Sequence, residues 1–143
     1  PEEWPQVVKE GLKVAEDNRW ISCCTVLMGL PDEDNEDVKQ TMQLIKEVDN
    51  RFAFYFPIFF VPIGITQLKD QRRFIQKYAS PYHWRLILQC WKHNVKYVCQ
   101  AFDFATQGEY PMLRLGLRVG IKALYNVIQI ICSRMINQAE HAN

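Results

Sequence analysis

Two short apolar runs, residues 20–28 (WISCCTVLM) and 52–61 (FAFYFPIFFV), flank an amphipathic segment, and this spacing constrains the fold more than any other feature. Neither run has a helical period. Both are shorter than a usual core helix, and their Ile, Val, Thr and aromatic content favours extended chain. Runs that are apolar at nearly every position suit strands buried on both faces, as in a parallel sheet. Between them, residues 35–48 carry Val38, Met42, Ile45 and Val48 at helical spacing. Asp34 or Asn35 can cap that helix, and Glu36 and Asp37 suit the positive end of its dipole. Residues 3–18 predict an earlier helix, with Val7, Val8, Leu12 and Ala15 on one face and Pro5 near the start. Helix, strand, helix, strand in this rhythm predicts an α/β chain with a parallel sheet or barrel. Pro57 perturbs the second strand.

The character changes after residue 66. A polar stretch, 67–79, holds one short helix at most. Ser80 and Pro81 then make a strong helix start. Trp84, Leu88, Trp91, Val95, Val98 and Phe102 follow at spacings of three and four, a narrow apolar seam that Gly108 and Pro111 end. A last helix over about 111–138 carries Leu113, Leu117, Ile121, Leu124, Ile128, Ile131 and Met135 on one side. Two long helices with a short connection predict an antiparallel pair. The chain therefore divides into 1–66, α/β, and 67–143, a helical extension.

With 143 residues, 48% of them hydrophobic, the chain suffices for one domain or a large piece of one. Its start at Pro1 rather than Met points to a fragment or a processed chain. Charge is unevenly spread. Residues 1–50 hold 12 acids and 5 bases, and residues 51–143 hold 4 acids and 12 bases. Two faces of one fold would complement each other this way; a basic part meeting an anionic partner is the sharper alternative. Cys23, Cys24, Cys90, Cys99 and Cys132 show no metal-finger or redox spacing, which suits reduced, mostly buried thiols in the cytoplasm. No signal peptide is visible. The apolar region 110–136 is interrupted by Arg114, Arg118, Lys122 and Arg134, against the nearly uncharged stretch a spanning helix needs.

The segment that bears on chemistry is residues 25–38, TVLMGLPDEDNEDV. A buried strand ends in Gly29-Leu30-Pro31, then an acidic cap, then a helix. Gly29 permits close approach of a ligand or a sharp turn, and Pro31 fixes the chain's exit. Strand C-terminal ends and the helix starts that follow share one rim of an α/β barrel, where active sites lie. The second strand ends likewise in Val61-Pro62-Ile63-Gly64-Ile65-Thr66, whose backbone groups can bind a base edge or ribose.

These two turns, in this order, resemble the radical S-adenosylmethionine superfamily. There the fifth barrel strand commonly ends in Gly-Leu-Pro-Gly-Glu, matched here by Gly29-Leu30-Pro31-Asp32-Glu33. The sixth ends in a Pro-x-Pro-Gly-Thr-like turn, matched by Pro62-Ile63-Gly64-Ile65-Thr66. The resemblance covers residues 5–70. It implies the C-terminal half of a partial (β/α) TIM-like barrel, followed by the α-helical extension. It also implies that Leu27, Gly29, Val61, Pro62 and Gly64 hold the adenosine part of S-adenosylmethionine by backbone and van der Waals contact. No catalytic proton transfer and no metal ligand is assigned to this chain.

Two departures stand out. The Cys-x-x-x-Cys-x-x-Cys motif that holds the family's 4Fe-4S cluster is absent, and in the family it lies upstream of the part matched here. Asp32 replaces the usual glycine. The resemblance therefore implies an inactive fragment whose main partner is the missing N-terminal half of the barrel. In the intact enzyme, the cofactor's 5′-deoxyadenosyl radical would abstract hydrogen from the substrate. Substrate and reaction subtype depend there on upstream strands and added domains, a cobalamin-binding one among them.

Other residues take plainer roles. His83, His93 and His141 lack a ligating pattern, and polar surface or core positions suit His83 and His93. Trp84 and Trp91 anchor helix to helix. The aromatics of 52–60 fill a core or line an apolar substrate site. Arg114, Arg118 and Lys122 form a basic stripe, a solvated face or a contact for anionic lipid or for the acidic part of a parent protein. No nucleic-acid motif is present. The rival to an enzyme fragment is a non-catalytic α/β interaction module whose basic helical hairpin binds a partner protein or a membrane surface.

Overall fold

A computed structural model of the chain describes residues 3–63, 68, 70, 71 and 73–141. The first helix, α1 (Trp4–Asp17), has Pro5 in its first turn and buries Leu12. Strand β1 (Ser22–Met28) leads into α2 (Asn35–Glu47). That helix starts at a reciprocal cap. The Asp34 carboxylate accepts the backbone N–H groups of Glu36 and Asp37 at 2.7 and 3.0 Å, and the Asp37 carboxylate accepts that of Asp34 at 3.0 Å. Otherwise those donors would have no helical partner.

Strand β2 (Ala53–Phe59) lies parallel to β1, in register from Ser22 opposite Ala53 to Met28 opposite Phe59. Pro57 sits mid-strand without breaking the ladder, because alternate residues of a strand point their N–H groups to opposite edges. Phe60, of the other parity, donates to the Met28 carbonyl at 2.8 Å, so the odd-numbered residues face away from β1. Pro57 is one of them.

Two later helices complete the architecture, after a short 3₁₀ turn at Gln76–Tyr78. The first, α3 (Pro81–Thr106), ends where Gln107 and Gly108 adopt φ of 53° and 79°. The second, α4 (Pro111–His141), runs back along it. Ion pairs mark the antiparallel sense: Arg114 to Asp103 at 2.7 Å near the hairpin and Arg85 to Glu140 at 2.7 Å at the far end. By length and composition α4 is apolar enough to cross a membrane, though its outer surface also carries cations.

The expected half of a TIM-like barrel is not what forms. The sheet among the described residues has two strands, and most of the chain is helical. The physical reason lies at the outer edge of β2, where the next strand of a barrel would have to pair. There α3 supplies the partners instead. The Asn94 side chain accepts the Tyr55 N–H at 2.9 Å and donates to the Tyr55 carbonyl at 2.8 Å, as a neighbouring strand would. His93 Nε2 donates to the Ala53 carbonyl at 2.9 Å. A helix thus closes that edge.

One face of the sheet is packed and the other is not. Met28, Ala53 and Tyr55 join Leu12, Val38, Ile45, Val48, Leu86 and Cys90 in the main core. A second cluster, Ala79, Trp84 and Cys132 with Phe59 and Phe74, ties α3 to α4. On the opposite face Leu27, Phe56 and Ile58 are exposed. The seam expected on α3 contributes Trp84 and Leu88 to the contact with α4, but the deepest residues, Leu86, Cys90 and His93, lie with Tyr97 on a second stripe. On α4, Leu113, Leu124 and Ile131 face outward rather than into the expected stripe. The uneven charge is partly matched internally, since Glu16 pairs with Arg51 and Asp49 with Lys96.

Candidate functional site at the strand ends

The residues singled out in the sequence fall at the C-terminal end of the parallel pair. Leu27 is on the exposed face of β1, and Gly29 follows the strand directly with φ of 75°. Val61 is exposed and Pro62 half-buried beyond β2, with Phe60 hydrogen-bonded to Met28 beside them. Gly64, with Ile65 and Thr66, lies outside the described residues.

Gly29 has a local structural use. A Cβ built on it would fall 2.2 Å from the ring of Phe74, so glycine makes room for that ring. Its N–H is also committed, donating to Glu33 Oε1 at 2.8 Å. The same oxygen accepts from His83 Nε2 at 2.8 Å. His83 Nδ1 accepts the backbone N–H of Ser80 at 3.0 Å, which leaves Nε2 as the nitrogen carrying the proton. Phe74 closes the group, 5.4 Å from the Phe59 ring and 5.3 Å from that of His83. Gly29, Glu33, Phe74 and His83 therefore form a latch that joins the β1–α2 turn to the start of α3.

The Ser80 hydroxyl is 2.9 Å from His83 Nδ1, so serine, histidine and glutamate stand in line. The line is not a nucleophile and its base. The nitrogen facing the hydroxyl already accepts a backbone N–H, and the glutamate holds the other nitrogen beneath the Phe74 ring. The turn has one further feature. Asp32 adopts φ of 65°, a left-handed conformation that glycine takes freely and aspartate tolerates better than most residues.

A second polar group lies at the other end of the sheet. His93 is buried, with Nδ1 2.9 Å from Asp49 Oδ1 and Nε2 bonded to Ala53. Both partners are acceptors, so each ring nitrogen is placed to donate. Lys96 Nζ reaches Asp49 Oδ2 at 2.9 Å. Burial acts to raise the Asp49 carboxyl, but the hydrogen bonds from Lys96 and His93 outweigh it and hold the group below the ordinary carboxylate range.

The thiols are less buried than expected: Cys90 and Cys132 are buried, Cys24 and Cys99 half-buried, and Cys23 exposed. Burial raises Cys24 and Cys132 and pushes Cys90 up to about 12. Such thiols are poor nucleophiles at neutral pH. Among the described residues no three His, Cys, Asp or Glu side chains converge on a point, so these residues do not fit an iron–sulfur cluster. At the rim, Leu27 and Val61 present exposed apolar side chains beside turning backbone.

Beside the rim, the free edge of β1 overlooks a groove of about 470 Å³ lined by Trp4, Val8, Val26, Leu44 and Tyr55. The Tyr55 hydroxyl is buried and has no hydrogen-bond partner among the described residues. Burial, with a smaller effect of Cys24, raises its pKa. Sequence reasoning gave no role to Phe74 or Asn94, quoted Glu33 only as part of the turn, and placed His83 only as a polar core or surface residue, of which the structure shows the core position. One signal could have found part of this set, the three- and four-residue spacing of His83, Leu86, Cys90, His93 and Tyr97.

The chain matches no protein-family profile, no curated protein and no solved structure.

Proposed function

We propose that this chain is the C-terminal part of a cytoplasmic radical S-adenosylmethionine enzyme, and that its strand-end rim forms part of the seat for the cofactor's adenosine. The observation that carries this reading is the turn from Gly29 to Glu33. Asp32 stands where the resembled family has glycine, and it takes a backbone conformation natural to glycine. The departure at this position is thus compatible with the turn. Leu27, Val61 and Pro62 would touch the adenosine through apolar contact, with Gly29, buried and its N–H held by Glu33, shaping the turn behind them. When bound with its cluster, the cofactor supplies hydrogen abstraction, and the cluster's ligands would come from elsewhere in the parent protein.

The condition of the sheet supports a larger parent. A parallel pair normally has both faces covered. Here one face exposes Leu27, Phe56 and Ile58, and among the described residues no hydrogen bond reaches the outer edge of β1. The edge of β2 is closed by α3, so added strands would pair with β1, above the apolar groove.

The coding sequence upstream of Pro1 tests the proposal. It should encode, in frame, Cys-x-x-x-Cys-x-x-Cys after a predicted strand. An in-frame stop or an unrelated domain there overturns the reading. In the intact protein, Leu27→Asp should weaken S-adenosylmethionine binding by about tenfold, as expected when an apolar contact is replaced by an unpaired charge. Unchanged affinity would remove Leu27 from the site.

A further inference from the structure

The outer face of α4 is an extended unpartnered apolar surface among the described residues, and no part of the proposed cofactor site uses it. Leu117, Ile121, Ile128 and Cys132 face α3. On the opposite side Met112, Leu115, Val119, Val127 and Ile130 are exposed, Val119 at 62% and Ile130 at 54%. At 1.5 Å per residue this helix is about 45 Å long. Exposed apolar surface on that scale marks an interaction site.

We infer that this face docks on an anionic lipid surface, with α4 lying in the plane of the interface. Charge selects the occupant. No Asp or Glu occurs between Pro111 and Ala139, while Arg118 and Lys122 lie one turn apart along one flank of the apolar face. Among the described residues neither meets an acidic partner; the cation nearer the hairpin, Arg114, is bound to Asp103. A second copy seated on this face would bring like charges together, and the helix's one acid, Glu140, is already paired with Arg85. Anionic headgroups supply the missing charge, and acyl chains accept the apolar side chains. Lying fits better than spanning, because one side of α4 is committed to α3 and the cations interrupt its length. Tyr110 and Phe104, exposed at the hairpin, add aromatic side chains of the kind enriched at membrane interfaces.

Sedimentation of the whole chain with vesicles tests this. Vesicles of phosphatidylcholine mixed with phosphatidylglycerol should carry the chain down at low salt and release it at high salt. Phosphatidylcholine alone should carry little. R118Q combined with K122Q should lower the partition coefficient roughly 25-fold, about fivefold per cation. V119S combined with I130S should lower it about tenfold through lost apolar burial. All four positions are exposed, so unfolding midpoints should not move, and a thermal melt of each variant checks that. Absence of binding at low salt, equal binding to neutral vesicles, or wild-type binding by R118Q/K122Q would each overturn the inference. So would self-association in light scattering that V119S/I130S abolishes, since a second copy would then be the occupant.

Discussion

The two faces of the β1–β2 sheet are built from the same strands and nearly the same kinds of side chain, yet they stand in opposite conditions. On one, Met28 is 1% exposed and packs with residues of α1, α2 and α3. On the other, its neighbour Leu27 is 41% exposed, together with Phe56 and Ile58. The edges differ in the same way: α3 closes that of β2, and among the described residues no hydrogen bond reaches that of β1. Hydrophobicity alone therefore does not decide burial. What decides it is which surfaces the helices reach, and among the described residues the core side chains of α1, α2 and α3 pack on one face.

Met28→Ala is the severest test of the contrast. Truncating a fully buried side chain removes apolar contact and leaves a cavity, at a cost of about 3 kcal/mol. Leu27→Ala, one residue away, should cost under about 1 kcal/mol, since the side chain already meets water. Urea titrations of the two variants measure the difference. Equal midpoint shifts would mean that the open face is covered in solution. The surface would then be internal to an assembly.

Asn94→Ala attacks the closed edge. It strips the partners from both the N–H and the C=O of Tyr55 in a buried setting, at about 2 kcal/mol if water reaches only one of them. Protection of the Tyr55 amide from hydrogen exchange should fall toward that of the β1 edge. Retained protection would show that something other than α3 closes the strand.

Much of this layout was legible and the rest was not, for reasons that particular residues show. The caps at Asp34 and Ser80 are local, and both mark true helix starts. The apolar runs became strands because no helical period competes there. The stripe of α3 that faces the sheet was hidden because His93, and Asn94 beside it, are polar. Their value lies in bonding to β2 about forty residues away. The same distance hid the barrel's failure, since nothing near β2 announces that a helix will occupy its edge. At the rim, Gly29 was visible as a turn, but Phe74 and His83, which explain its neighbourhood, come from segments that only the fold brings near.

Asp49 sharpens the contrast through pH. Its folded carboxyl lies below the ordinary value, so its contribution is present above the unfolded pKa of about 4 and is lost as pH falls through the folded value. The carboxylate is about half exposed, and screening limits the contribution to about 1 kcal/mol. Asp49→Asn keeps an acceptor for His93 and removes the charge. Its stability should trail wild type at neutral pH and converge with it in strong acid. A constant gap across that range would mean that packing, not charge, holds this end of the sheet.

Asp32→Gly gives the smallest shift and bears most directly on the rim. Aspartate at φ of 65° carries the cost of a left-handed residue, and glycine would relieve it. Glycine also adds freedom to the unfolded chain, which offsets part of the gain. The net result should be stabilisation of no more than about 1 kcal/mol, read from the urea midpoint. Asp32→Val should destabilise by more than that, because a β-branched side chain suits this conformation poorly. If glycine instead destabilised the chain, the Asp32 carboxylate would have a partner that holds the turn. The likeness between this turn and a glycine-bearing one would then be superficial.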